Sequence, residues 1–182
     1  MFLDILTSIE EKRRERFISI SDNRLGQTAI DNPPKGCAGI YFFYTSYTNE
    51  ELASTEPLPG KAVPISKLTL AHQRLPGICN LQERDGFRLV YNGIGGFNGK
   101  NYDLRTRILQ EISSTDSRTG SLCIKQSTVN DLSKWRFSYV VLHSANQRHP
   151  ADFPEEWSFN EHAQNLERCW RLVHGWPLLC RT

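Results

Sequence analysis

The run Gly39-Ile40-Tyr41-Phe42-Phe43-Tyr44-Thr45 constrains this chain more than any other stretch. Aromatic and β-branched residues follow one another there without a charged break, directly after the breaker cluster Asn32, Pro33, Pro34, Lys35 and Gly36. Such a run reads as a strand buried in a core. A second strand is predicted over Phe87 to Asn92, followed at once by Gly93, Ile94, Gly95, Gly96, Phe97, Asn98 and Gly99. Asp103 then suits an N-cap, and Leu104, Ile108 and Ile112 recur at helical spacing. Trp135 to Leu142 reads as a third strand. Glu155 to His174 reads as a closing helix, with Leu166, Cys169, Trp170 and Val173 as one buried stripe. Gly175 and Pro177 stop it. The order β, β, α, β, α predicts a small α/β sandwich.

Two further segments decorate this core. Ser8 to Phe17 reads as a helix with Ser8 as N-cap, Glu11 completing a capping box, and an exposed basic face. Asn49 to Asp85 is punctuated by Pro57, Pro59, Gly60, Pro64, Pro76 and Gly77, and reads as an excursion whose middle, Ser66 to Arg74, holds one or two helical turns. At 182 residues the chain fits one domain, 1–182, with 1–36 a helical extension and 49–85 an insertion.

Twenty-two basic and twenty acidic residues leave a formal charge of +2, too small to mark the whole chain as a polyanion binder. A nucleic-acid face must come from local clusters: Lys12, Arg13, Arg14 and Arg16; Arg105 and Arg107; Arg168 and Arg171. Each cluster alone reads as readily as a solvated helix face. Asp4 and Glu10 interrupt the apolar N-terminus, and no uncharged apolar run nears the eighteen positions a membrane span needs, so neither secretion nor a membrane partner is expected. Five widely spaced cysteines without a C-x-x-C pair suit a reducing cytoplasm. The five histidines form no H-x-x-x-H pair.

Taken singly, Tyr41 and Tyr91 read as packed strand tyrosines and Glu167 as a solvated helix residue. Together they carry more. Gly39-Ile40-Tyr41 opening the first strand and Tyr91-Asn92-Gly93 closing the second resemble the paired tripeptides of the GIY-YIG nuclease family, with Asn92 in place of isoleucine. Asp103, Leu104, Arg105, Thr106, Arg107 and Ile108 resemble that family's first helix, with Arg107 where it keeps its catalytic arginine. Glu167, Arg168, Cys169 and Trp170, running on to Pro177 and Leu179, are similar to its metal-binding glutamate and the apolar residues and proline turn that follow. The resemblance spans Gly39 to Cys180 with one large interruption.

It implies an α/β (α+β) fold: a small three-stranded antiparallel sheet flanked by helices, with a basic N-terminal helix and a long insertion between the first two core strands. It also implies a metal-dependent endonuclease of the restriction or phage-defence kind, acting on double-stranded DNA with Mg²⁺ or Mn²⁺; since one such site cuts one strand, a homodimer on a two-fold symmetric target is expected. Tyr41, Tyr91, Arg107 and Glu167 would be catalytic, with Glu167 the metal ligand. Lys100, Arg105, Arg13 and Arg14 would bind substrate. The chemistry agrees: a guanidinium suits the charge gained on phosphate oxygens, a carboxylate suits a hard cation, and a phenol beside a guanidinium suits proton abstraction from water.

The departures are specific. Tyr41 and Tyr91 are fifty positions apart (91 − 41 = 50), where the family uses a short hairpin. The loop from Gly93 to Tyr102 is long and no lysine directly follows the second tripeptide, leaving Lys100 as a stand-in. Glu111 stands where histidine or tyrosine is frequent, and Cys180 where asparagine is. Glu111 shares a helix face with Arg107, so a plain ion pair is its alternative role. Glu161 competes with Glu167 for the metal. Among nucleases, a non-specific or nicking phage or repair enzyme is the alternative. Outside them stand a non-catalytic nucleic-acid module, and a nucleotide binder built on Gly93, Gly95 and Gly96, against which Asn98 breaks the G-x-G-x-x-G pattern.

Overall fold

A computed structural model of the chain describes residues 2–22, 28–29, 31, 33–75, 83–96, 103–114, 120–144, 147–148 and 159–181. Three long strands make the body of a mixed α/β fold: β4 (Ala38–Thr45), β6 (Phe87–Gly95) and β7 (Trp135–Ser144). β4 lies between the other two and is antiparallel to both. The two-residue strands β1 (Ile18–Ser19), β5 (Glu83–Arg84) and β8 (Gln147–Arg148) enlarge the expected three-stranded sheet to six, in the order β1-β7-β4-β6-β5 with β8 also on β7. A separate ladder joins β2 (Ser21–Asp22) to β3 (Thr28–Ala29).

The central position of β4 explains its composition. All eight of its residues are buried, and successive side chains enter opposite layers. Tyr41 and Phe43 join the cluster that holds Leu104, Ile108 and Ile112 of helix α4 (Leu104–Ser113), together with Leu52 of α2 (Asn49–Ala53) and Ile65 of α3 (Ile65–His72). Ile40, Phe42 and Tyr44 join Leu6 and Ile9 of α1 (Phe2–Glu15) and Leu166 and Trp170 of α5 (Phe159–His174). Both faces of the strand are covered, so no polar residue alternates along it.

Several boundaries differ from the sequence reading. The first helix starts at Phe2, so Ser8 lies inside it and caps nothing. The second strand runs on through Gly93 to Gly95, because these glycines pair with Tyr41 and Gly39 of β4. Within 49–85, α2 carries a full capping box between Thr48 and Glu51, and α3 supplies the expected turns. In α5, Leu166 and Trp170 are buried while Val173 is 54% exposed, so the stripe ends before it. Gly175 takes a positive φ of 91° and closes the helix, as a C′ glycine does. Among the described residues no helix is long and apolar enough to cross a membrane.

Candidate active site

Two glycines bring β4, β6 and α4 into contact. A Cβ on Gly93 would lie 2.3 Å from the Tyr41 hydroxyl, and one on Gly95 would lie 2.8 Å from the Leu104 Cα and 3.1 Å from the Arg107 Cγ. Gly93 therefore leaves the space the phenol fills, and Gly95 lets the start of α4 lie against the strand. Asp103 fixes that start, its carboxylate accepting from the Thr106 amide at 2.8 Å and the Gly36 amide at 2.9 Å. Arg107 sits one turn in and meets Tyr41 of β4.

The contacts at this junction are short. Tyr41 is fully buried and donates to Glu111 Oε1 at 2.6 Å. Arg107 Nη2 donates to the same carboxylate oxygen at 3.2 Å and to the Tyr41 hydroxyl at 3.4 Å, while its Nη1 reaches Gln110 at 2.8 Å. The other Glu111 oxygen accepts from the Leu122 amide at 2.6 Å. Tyr91 lies diagonally across the ladder from Tyr41, ring centroids 6.4 Å apart, and donates to the Gly120 carbonyl at 3.3 Å. The expected pairing of Glu111 with Arg107 is thus present, and Glu111 also anchors a phenol and a backbone amide.

Glu167 comes from the opposite layer. Arg171, one turn on, holds its Oε1 at 2.7 Å and also donates to the Asn92 side-chain oxygen at 2.9 Å. Cys180 closes the group, its thiol 3.2 Å from that same Asn92 oxygen. Arg107 acts electrostatically on Glu167 and Tyr41, and Glu167 on Tyr41 in turn. Tyr41 thus touches Arg107 and packs beside Tyr91, while Glu167 is tied to β6 through Arg171 and Asn92, the neighbour of Tyr91. Glu111, Asn92 and Arg171 complete the group. The signal for Arg171 in the sequence is its i, i+4 spacing from Glu167.

Burial sets the protonation. It raises the Tyr41 phenol well above its usual range; Glu111 pushes the same way, and Arg107 only partly opposes them. Tyr91 is raised well above its range as well, by burial and then by Glu111 and Tyr41. Burial also raises Glu111 and Glu167, against the arginines beside each. Cys180 is pushed up to about 12 by burial, which keeps it a thiol. Arg107, held by Tyr41 and Glu111, is a cation more firmly than a free arginine.

The sequence-predicted substrate contacts divide. Arg105 is half-buried beside Asp103. Arg14 is 65% exposed in its side chain and leans on Glu10 at 2.8 Å. Arg13 departs from the expectation of an exposed basic face: it is 3% exposed, bound to Glu10 and Tyr44 and packed over Phe42 and Trp170. Its guanidinium points inward because α1 turns that face onto the sheet. Lys100 lies outside the described residues, as does the side chain of Glu161. Among the described residues no three His, Cys, Asp or Glu side chains gather as a metal-binding group. A hard cation would depend on Glu167 with water and phosphate oxygens. Glu167 fits that limited part: Arg171 takes one carboxylate oxygen, and no hydrogen bond from the described residues reaches the other.

No family model, curated protein or solved structure matches the chain.

Proposed function

We propose that this protein is a metal-dependent endonuclease of the GIY-YIG type that hydrolyses phosphodiesters of double-stranded DNA. The observation that supports the reading is the contact of Tyr41 with Arg107 and Tyr91, together with the tie of Glu167 through Arg171 to Asn92, next to Tyr91 in β6. A scissile phosphate needs a cation for its non-bridging oxygens, and Arg107 is a partly exposed guanidinium fixed through Tyr41, Glu111 and Gln110. Glu167 would hold Mg²⁺ or Mn²⁺, which when bound supplies Lewis-acid stabilisation of the oxygen that leaves. Tyr41 and Tyr91 orient water and phosphate with hydroxyls that burial keeps protonated. Site-specific cleavage by a homodimer, as in a restriction or phage-defence enzyme, is the form we favour, because one such site cuts one strand and two-fold symmetry matches a palindromic target. Arg14 and Arg105 are the described basic residues offered to the DNA backbone.

The test is incubation of the purified chain with supercoiled plasmid and Mg²⁺ or Mn²⁺, with Arg107→Ala and Glu167→Ala alongside. Linear or nicked product from wild type alone is expected, and sequencing of the product ends reads specificity. Plasmid left intact by wild type under all metals tried contradicts the reading.

A further inference from the structure

Helices α1 and α5 each carry an arginine–glutamate pair, Glu10 with Arg13 and Glu167 with Arg171, and the two pairs use the same donors differently. Arg13 turns both Nε and Nη2 onto one carboxylate, Nε to Glu10 Oε2 at 2.9 Å and Nη2 to Oε1, so both oxygens are taken. Arg171 splits the same fork. Its Nη2 donates to Glu167 Oε1 at 2.7 Å, but its Nε donates to the Asn92 side-chain oxygen at 2.9 Å. The second Glu167 oxygen is thereby left without a hydrogen bond from the described residues.

We propose that Asn92 is a positioning residue for Glu167: its amide oxygen holds half of the Arg171 fork and so keeps one carboxylate oxygen open to a hard cation. The inference rests on the nuclease reading, in which Glu167 is the metal ligand. It gives a role to a residue that touches neither the cation nor the DNA.

The amide is fixed in the orientation this role needs. Two donors converge on its oxygen, the Arg171 Nε and the Cys180 thiol at 3.2 Å, and Arg171 Nη2 also reaches the Asn92 main-chain carbonyl at 3.3 Å. Trp176 lies against the same guanidinium, its ring centroid 5.2 Å from Cζ. Asn92 is 1% exposed, and its Nδ2 finds no acceptor among the described residues. A buried donor left unpaired is a cost that an apolar side chain of similar size would avoid. What the amide supplies and an apolar side chain does not is the acceptor for Arg171. The side chains of Glu167 and Arg171 are 14% and 12% exposed, so the open oxygen belongs to a pair that reaches solvent.

Without that acceptor, the arrangement seen in the Arg13 pair becomes accessible to Arg171. Nε and Nη2 would both turn onto Glu167, one helical turn away, and the carboxylate would close. A dication would then have to break a charge-assisted bond to bind.

The experiment reads Mn²⁺ binding to the full chain from loss of the free-ion EPR signal, with thermal melts and plasmid cleavage alongside. The proteins are wild type, Glu167→Gln, Asn92→Leu, Asn92→Asp, and Asn92→Leu combined with Arg171→Leu. Wild type should bind and Glu167→Gln should not. Asn92→Leu should bind about tenfold or more weakly, whereas Asn92→Asp, which keeps the acceptor, should stay within about threefold of wild type. The double variant should regain most of the affinity, because no guanidinium remains to close on Glu167. That regain separates positioning from support of the fold, since a second loss of packing does not restore binding. Wild-type affinity in Asn92→Leu, or a double variant weaker than the single one, overturns the role of Asn92 and leaves the nuclease reading intact. Equal binding by wild type and Glu167→Gln overturns it as well, and plasmid left uncut by wild type then removes the nuclease reading with it. Should Asn92→Leu fail to fold, Asn92→Ser decides on the same terms, its hydroxyl being too short to hold Nε.

Discussion

The two faces of the central sheet each carry an arginine, a glutamate and a tyrosine of β4, and they use them differently. On the α1/α5 face Arg13 takes both oxygens of Glu10 through two of its nitrogens, Arg14 adds a third contact and Trp170 Nε1 a fourth. Burial alone would raise Glu10, but the bonds from Arg13 outweigh it and hold Glu10 below the usual carboxylate range. On the α4 face Glu111 has one guanidinium contact at 3.2 Å, a phenol and an amide, and it stands above that range. A saturated ion pair is a structural rivet. Full burial with one longer guanidinium contact leaves the other carboxylate easier to protonate than a free glutamate. The same residue types therefore make a fully paired carboxylate on one face and a sparsely paired, raised one on the other.

Removing the cation from each face should break the comparison most sharply. Arg13→Ala leaves Glu10 buried beside Trp170 without its main partner, and should cost about 3–5 kcal/mol in urea unfolding. Arg107→Ala should instead reduce cleavage about 100- to 1,000-fold, because it removes a donor to the developing charge.

The pH dependence should differ in sign. Glu10 is depressed in the folded state, so its contribution is present above the unfolded value near 4.5 and is lost as pH falls through the folded one. Glu111 is raised, so stability falls as pH rises from about 4.5 towards its folded value. Thermal melts from pH 3 to 7 should thus show a weaker acid decline in Glu10→Gln and a weaker decline towards neutral pH in Glu111→Gln, each compared with the slope of wild type. Acid profiles that coincide for the two variants would contradict the contrast. Arg14→Ala sharpens the point from below: its side chain is 65% exposed, and its loss should change unfolding free energy by no more than about 0.5 kcal/mol.

Local signals carried the core strands and the last helix. The unbroken run at 39–45, the Asp103 cap with Leu104, Ile108 and Ile112, and the Gly175 stop each rest on neighbours within a few positions, and each lies where its pattern points. What pattern could not supply was depth. Arg13 and Arg14 are adjacent and alike in sequence, yet one is buried and the other exposed, because only the packing of α1 on Tyr44 and Trp170 distinguishes them. The start of α1 was missed because Ser8 and Glu11 imitate a cap inside a helix that begins at Phe2. Within the site, the resemblance alone set Tyr41, Tyr91, Arg107 and Glu167 together, and the fold places Tyr41 against Arg107 and Tyr91. The partners that tune them were not legible: the 70 positions between Tyr41 and Glu111, and the 79 between Asn92 and Arg171, are closed only by the fold.

The central claim is that these separate elements assemble one phosphodiester-cleaving site. Its most direct test is the initial rate of supercoiled plasmid loss with Mg²⁺ for wild type and Glu167→Ala at equal folded concentration. Metal-dependent cutting by wild type and about 100-fold less by the variant is the predicted result. Equal rates for the two proteins, or no cutting by wild type at all, would contradict it.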